Sequence, residues 1–119
     1  MHGVHLERES SAAVVRATGE LDAYAAPDLA ATLGDVSGEP RILADLGDVS
    51  FLDSAALGVL VRAVRKFDAN GSRVRIVLPT GSARRIFEIT TLDRVLPVAA
   101  TRSEALAELA IGSKRPDVG

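Results

Sequence analysis

The stretch RILADLGDVSFLDSAALGVLVRAVRKFDAN, residues 41–70, decides the fold because it joins a buried strand to the strongest helix of the chain. The apolar run at 41–46 predicts a central strand. The Gly-Asp pair at 47–48 predicts a turn, and the residues at 49–52 form a second short apolar stretch. A strand followed at once by a helix is the repeating unit of an α/β protein.

The helix in this stretch is predicted to run from Ser54 to Asn70. Its apolar residues recur at spacings of three, four and seven, which is typical of an amphipathic helix with one buried stripe: Leu57, Leu60, Val61, Val64 and Phe67. Ser54 is the predicted N-cap, and the pair Asn70-Gly71 predicts the C-terminal end.

The segments on either side extend the same alternation of strands and helices. Residues 4–17 predict a hairpin that turns at 9–11, and a helix is predicted to begin at Pro27, a residue suited to a first turn. Downstream, we expect a strand at 73–78, a helix at 80–91, a short strand at 95–98 and a helix after the N-cap Thr101. The chain is therefore predicted to be one α/β domain with a mixed sheet of four to five strands and about four helices.

Composition excludes several classes of protein. The 119 residues are 47% apolar and 25% charged, which is typical of a globular domain rather than a disordered chain. The absence of cysteine excludes disulfides and thiolate chemistry. No apolar stretch has the length of a membrane span and the start has no secretory pattern, so we expect no membrane insertion and a cytoplasmic location. The net charge of −2 gives no field that favours nucleic acid.

Polar residues near the predicted strand ends are the candidates for chemistry: Asp22, Asp45, Asp48, Asp53 and Ser54. A serine nucleophile needs a base, yet His2 and His5 lie near the fraying N-terminus without a local partner motif and are expected to be solvated. No phosphate-binding glycine loop is present, and no carboxylate spacing completes a metal site. The sequence therefore predicts neither an enzyme nor a cofactor, and no metal.

Three motifs in this order resemble the STAS domain family, in particular the stand-alone bacterial anti-sigma factor antagonists. They are G-E-L-D at 19–22, D-L-x-x-V-x-F-L-D-S at 45–54 and L-G-V-L at 57–60. The resemblance covers nearly the whole chain and implies a STAS domain at 1–112 followed by a flexible tail at 113–119. It also implies a partner, an anti-sigma factor of the serine kinase class with an ATPase fold. Whether the chain is a monomer or a weak dimer stays open.

The family's regulated serine is the second residue after the aspartate at the start of the long helix, and that position is Ala55 here. Because alanine has no hydroxyl, the resemblance does not carry the usual switch to this chain. An always-active member, a partner that is not a kinase and an altered sequence at this position all remain open. Ser54 is a fallback acceptor, although capping the helix is its expected role.

The predicted binding face combines the Asp22 loop, the start of the long helix and the exposed side of that helix. Its residues are Asp22, Asp53, Ser54, Ala55, Ala56, Gly58, Val59, Arg62 and Ala63. We expect Val59, Arg62 and Ala63 to point away from the buried stripe. Two alternatives are a STAS subunit of a stress-signalling scaffold or of a lipid or anion transporter, and a protein that captures a nucleotide at the same loop.

Overall fold

The computed structural model describes residues 1–78, 81–94 and 96–112. Its strands are β1 (His2–Glu9), β2 (Ala12–Leu21), β3 (Arg41–Leu52), β4 (Arg73–Val77) and β5 (Val98–Ala99). Its helices are α1 (Ala26–Asp35), α2 (Ser54–Ala69), α3 (Ser82–Ile89) and α4 (Arg102–Gly112), with a 3₁₀ turn at Leu92–Arg94. The predicted α/β class with a mixed sheet is confirmed.

The sheet has the order β1-β2-β3-β4-β5, and only the β1–β2 pair is antiparallel. The hairpin turns at Ser10 and Ser11, whose φ values of 51° and 65° fit a two-residue turn with left-handed geometry at both positions. Each later strand is reached through a helix, as parallel neighbours require. The carboxyl ends of β2 and β3 therefore lie side by side at one edge of the sheet.

Helices cover the two faces of the sheet unequally. Leu29 of α1, Leu60 of α2 and Phe87 of α3 join the main core on one face. The other face carries α4, whose Ala105 and Leu109 pack against a smaller apolar group: Ala12, Val14, Leu43, Val77 and Ala99. Within the described residues, no helix is both long enough and apolar enough to cross a membrane.

The predicted turn at 47–48 is wrong, because β3 continues as one strand from Arg41 to Leu52. Its register against β2 shifts twice, between Arg16 and Thr18 and between Gly19 and Glu20, and β3 holds the extra residue each time. Such bulges reverse which face the following side chains occupy. As a result the buried residues of this segment, Leu46, Val49 and Leu52, follow one another at intervals of three.

Other boundaries also differ from the predictions. α1 begins at Ala26, one residue before Pro27, and α3 covers only Ser82–Ile89. The last strand is confined to Val98–Ala99, where it pairs with Ile76 and Val77 of β4. The predicted positions Thr80 and Val95 and the predicted tail at 113–119 lie outside the described residues.

An ionic cluster attaches the start of α4 to the sheet. The Arg102 guanidinium lies 2.8 Å from Asp45 Oδ2, 2.8 Å from Glu9 Oε1 and 3.2 Å from Glu7 Oε1. Arg16 contacts the second oxygen of Glu7 at 2.8 Å. Partial burial alone lowers the pKa of Arg102, but its bonds to Asp45 and Glu9 hold that pKa above the ordinary value. Asp45 is thus a structural residue.

We expect this cluster to lose its contribution to stability in acid. The hydrogen bond from Arg16, which outweighs the opposing effect of burial, holds the pKa of Glu7 below its ordinary 4.5. A depressed folded-state pKa stabilises the protein above the unfolded value and stops doing so as pH falls through the folded value. Urea midpoints of the wild type and Glu7→Gln should therefore differ more at pH 6 than at pH 3. An equal difference at both pH values would contradict this prediction.

Candidate partner-binding site

Two turns capped by carboxylates lie side by side where β2 and β3 end. Asp22 Oδ1 accepts hydrogen bonds from the backbone N–H groups of Tyr24 and Ala25, both at 3.0 Å. Asp53 Oδ1 accepts one from the N–H of Ala56 at 3.0 Å. The Asp53 N–H donates to the Leu21 carbonyl at 3.1 Å, which joins the two turns. The structure therefore brings the predicted residues Asp22 and Asp53 together.

The N-cap of α2 is Asp53, so the prediction of Ser54 as the cap is wrong. Asp53 has the extended backbone of a cap residue, with φ −102° and ψ −179°, and its side chain reaches forward to the third residue of the helix. Ser54 becomes the first helical residue and is exposed to solvent. Its hydroxyl is consequently not needed to cap the backbone.

We expect Asp53→Ala to lower the free energy of unfolding by about 1 kcal/mol, because it leaves an N–H at the helix start without its acceptor. Ser54→Ala is the matched control and should change it by less than about 0.5 kcal/mol. Urea denaturation of both variants measures the difference. A larger loss in Ser54→Ala than in Asp53→Ala would return the capping role to Ser54.

The exposed side of α2 is narrower than predicted. Ala56 is 0% exposed and Val59 is 8% exposed, so both belong to the core, and the prediction that Val59 points away from it is wrong. The reason is that α1 packs beside α2, which buries α2 on two sides. Val61, predicted in the core stripe, is only half-buried. The solvent-facing members of the predicted face are Ser54 and Arg62.

Gly58 lets the Arg62 side chain fold back along α2 toward the helix start. A Cβ added at Gly58 would meet the Arg62 guanidinium at 3.1 Å. Arg62 also lines a shallow cleft between α1 and α2, together with Ala63, Lys66 and the buried Val59. The cleft is therefore apolar at its base, where Val59 and Phe67 lie, and carries the cationic side chains of Arg62 and Lys66.

The structure places the two histidines in different surroundings. His2 Nε2 lies 2.7 Å from Asp28 Oδ2, and the His2 side chain is 15% exposed, so the prediction that His2 is solvated is wrong. The contact arises because α1 crosses beside β1. His5 is exposed as predicted. Among the described residues, no group of three or more histidine or acidic side chains is placed to hold a metal ion.

Two exposed aromatic residues at the same edge escaped the sequence prediction. Tyr24 lies in the loop that Asp22 caps, and Phe51 lies two residues before Asp53. Both are more exposed than ordinary for aromatic side chains, at 85% and 49%. In the sequence, each lies two positions from a predicted site residue, Asp22 or Asp53, and this proximity could have identified them. The apolar pattern at 49–52 instead placed Phe51 in a predicted buried stretch.

Comparison with known proteins shows the family. The model of the STAS domain matches residues 4–105. The chain is 33% identical over 86 residues to an anti-sigma-B factor antagonist of Staphylococcus aureus, which covers 71% of this chain and 80% of the relative. It is also similar to a Thermotoga neapolitana protein provisionally named an anti-sigma factor antagonist. The two are 38% identical over 72 residues, which is 60% of the present chain.

That match spans 64% of the Thermotoga relative's length. Among solved structures, the fold matches an anti-sigma factor antagonist from Mycobacterium paratuberculosis with a TM-score of 0.86 and 28% identity. The superposed region covers 92% of this chain and 95% of the other. The family match and the structural match both include the strands and helices that carry the Asp22 and Asp53 turns. The chain therefore belongs to the STAS domain family.

Proposed function

We propose that this protein is an anti-sigma factor antagonist that binds an anti-sigma factor and thereby releases a sigma factor. The observation that carries the proposal is the junction of the Asp22 and Asp53 turns beside Ala55, which presents a rigid polar edge next to the exposed side of α2. The Staphylococcus aureus relative, which is named for this role, supports the proposal.

The proposed action is binding without catalysis. Asp22 and Asp53 each use a carboxylate oxygen to hold backbone N–H groups, and His2 is paired with Asp28 on α1. Caps of this kind fix the shape of a surface, whereas a hydrolase needs a base beside its nucleophile. The partner we propose is an anti-sigma factor of the serine kinase class. We propose that this chain binds it in the cytoplasm as a monomer or weak dimer.

Because Ala55 has no hydroxyl, the proposed function includes no phosphorylation at the family's usual position. A phosphate at the start of α2 would be tolerated by the chain itself, because helix N-terminal N–H groups favour negative charge. Its effect would fall on the partner, whose surface must approach Ala55 closely. With alanine there, we propose that the binding face still binds the anti-sigma factor in the presence of ATP. Within the first two positions of α2, only Ser54 carries a hydroxyl.

Release of a sigma factor tests the proposal. The purified chain is titrated into a complex of a sigma factor with a serine-kinase anti-sigma factor from the same organism, and free sigma factor is followed by transcription in vitro. We expect release with and without prior incubation with ATP. The absence of both binding and release would overturn the proposal. Stable assembly into a multi-subunit scaffold or a transporter would then favour the alternative function.

A further inference from the structure

The four aromatic side chains of the chain divide into two pairs. The chain has three phenylalanines and one tyrosine. Phe67 and Phe87 are 2% and 0% exposed and lie in the core, whereas Tyr24 and Phe51 are exposed at the edge where α2 begins. Large exposed aromatic groups gathered at one place mark interaction surfaces, and tyrosine is among the residues that dominate binding energies.

Glu20 lies near each exposed aromatic residue by a separate relation. Phe51 of β3 is the register partner of Glu20 on β2, so their backbones are neighbours at the strand spacing of about 4.8 Å. Glu20 also lines, with Asp22 and Tyr24, an open cleft at the end of the sheet. Glu20 is therefore a strand neighbour of Phe51 and shares the cleft with Tyr24.

The Tyr24 ring is held in place before any partner arrives. Its centroid lies 6.2 Å from that of His2 at an interplanar angle of 77°, an edge-to-face arrangement. The Tyr24 N–H donates to Asp22 Oδ1 at 3.0 Å, which fixes the backbone. An ordered aromatic side chain loses little conformational freedom on binding, so its burial contributes more to affinity.

The surroundings of the two rings are acidic. We name Glu20, Asp22 and Asp53 the acidic rim. The exposed amino terminus lies 3.2 Å from Glu20 Oε1, and the Arg62 side chain folds back toward the start of α2. The three carboxylates of the acidic rim disfavour another copy of the same surface, a nucleic acid or an anionic membrane. The occupant that fits is a protein surface with apolar pockets bordered by lysine or arginine.

We propose that Tyr24 and Phe51 are the two aromatic contacts through which the anti-sigma factor is bound, with the acidic rim pairing with cationic side chains on that partner. This inference rests on the proposed function, which named the Asp22 loop and α2 but neither ring. Apolar contacts give most of the affinity of such a surface, whereas exposed charges mainly raise the rate of association.

The test measures binding of a purified anti-sigma factor by calorimetry. Tyr24→Ala and Phe51→Ala should each bind at least about ten-fold more weakly than the wild type. Ile89→Ala is the matched control, because Ile89 is 73% exposed and lies at the last residue of α3, toward the opposite edge of the sheet. It should bind within about two-fold of the wild type. Urea midpoints confirm that each variant is folded, as expected for truncations of exposed groups.

The outcomes separate this inference from the proposed function. Wild-type binding with unchanged binding by both Tyr24→Ala and Phe51→Ala overturns the inference and leaves the proposed function standing. Absence of wild-type binding overturns both. Glu20→Gln tests whether the acidic rim pairs with cationic side chains of the partner. The variant should associate more slowly and with a weaker dependence on salt. An unchanged association rate overturns this pairing.

Discussion

Leu60→Ala is expected to lower the free energy of unfolding by about 2–5 kcal/mol, the range observed when a large buried side chain is truncated. Leu60 is 1% exposed and lies in the main core between α2 and the sheet. Truncation of this side chain leaves a cavity between α2 and the sheet. Because the surrounding elements keep their positions, we expect the cavity to close only partly. Urea denaturation monitored by circular dichroism measures the loss.

Arg62→Ala is the matched control for Leu60→Ala. Arg62 lies two residues further along the same helix but is exposed, so its truncation should change stability by no more than about 0.5 kcal/mol. Its guanidinium borders the proposed binding surface, and we expect its loss to act on affinity for the partner. Equal destabilisation by the two variants would show that the helix is rotated relative to this structure.

Phosphorylation of an Ala55→Ser variant is expected to weaken binding of the anti-sigma factor at least about 30-fold, which corresponds to about 2 kcal/mol. The substitution alone should cost only about 0.5 kcal/mol of stability, the difference in helix propensity between the two residues. The added phosphate carries a charge of about −1.5 to −2 at the centre of the proposed surface. The loss of affinity must therefore come from the phosphate.

Three proteins incubated with the partner kinase and ATP make this test decisive: the wild type, Ala55→Ser, and Ala55→Ser combined with Ser54→Ala. Intact-mass spectrometry should find one phosphate on both variants and none on the wild type, and calorimetry then measures affinity. A phosphate on Ser54 of the wild type would show that the chain keeps a switch at the neighbouring residue. An Ala55→Ser variant that binds the kinase but stays unmodified would argue against the proposed partner class.

Much of the candidate site was readable from the sequence because its polar residues are local signals. Asp22 and Asp53 each follow a strand and precede a helix, where a carboxylate cap is expected. Ser54 and Asp53 are both good caps, however, and only the backbone conformation of Asp53 decides between them. A choice between adjacent residues of similar chemistry depends on local dihedral angles that composition does not specify.

The sequence by itself determined the fold class and the chemistry at position 55. Residues 41–70 change from a compact apolar run to a helical period, and these patterns depend only on which side chains avoid water along one element. The absence of a hydroxyl from Ala55 is likewise a property of the residue alone, whatever surrounds it.

Tertiary structure decided which side chains meet and which faces stay exposed. Val59 is buried because α1 lies beside α2, and Leu46, Val49 and Leu52 share a face because β3 bulges against β2. Phe51 becomes a neighbour of Glu20 through the same strand pairing. Each of these outcomes depends on contacts between segments distant in sequence, whose geometry no local pattern encodes.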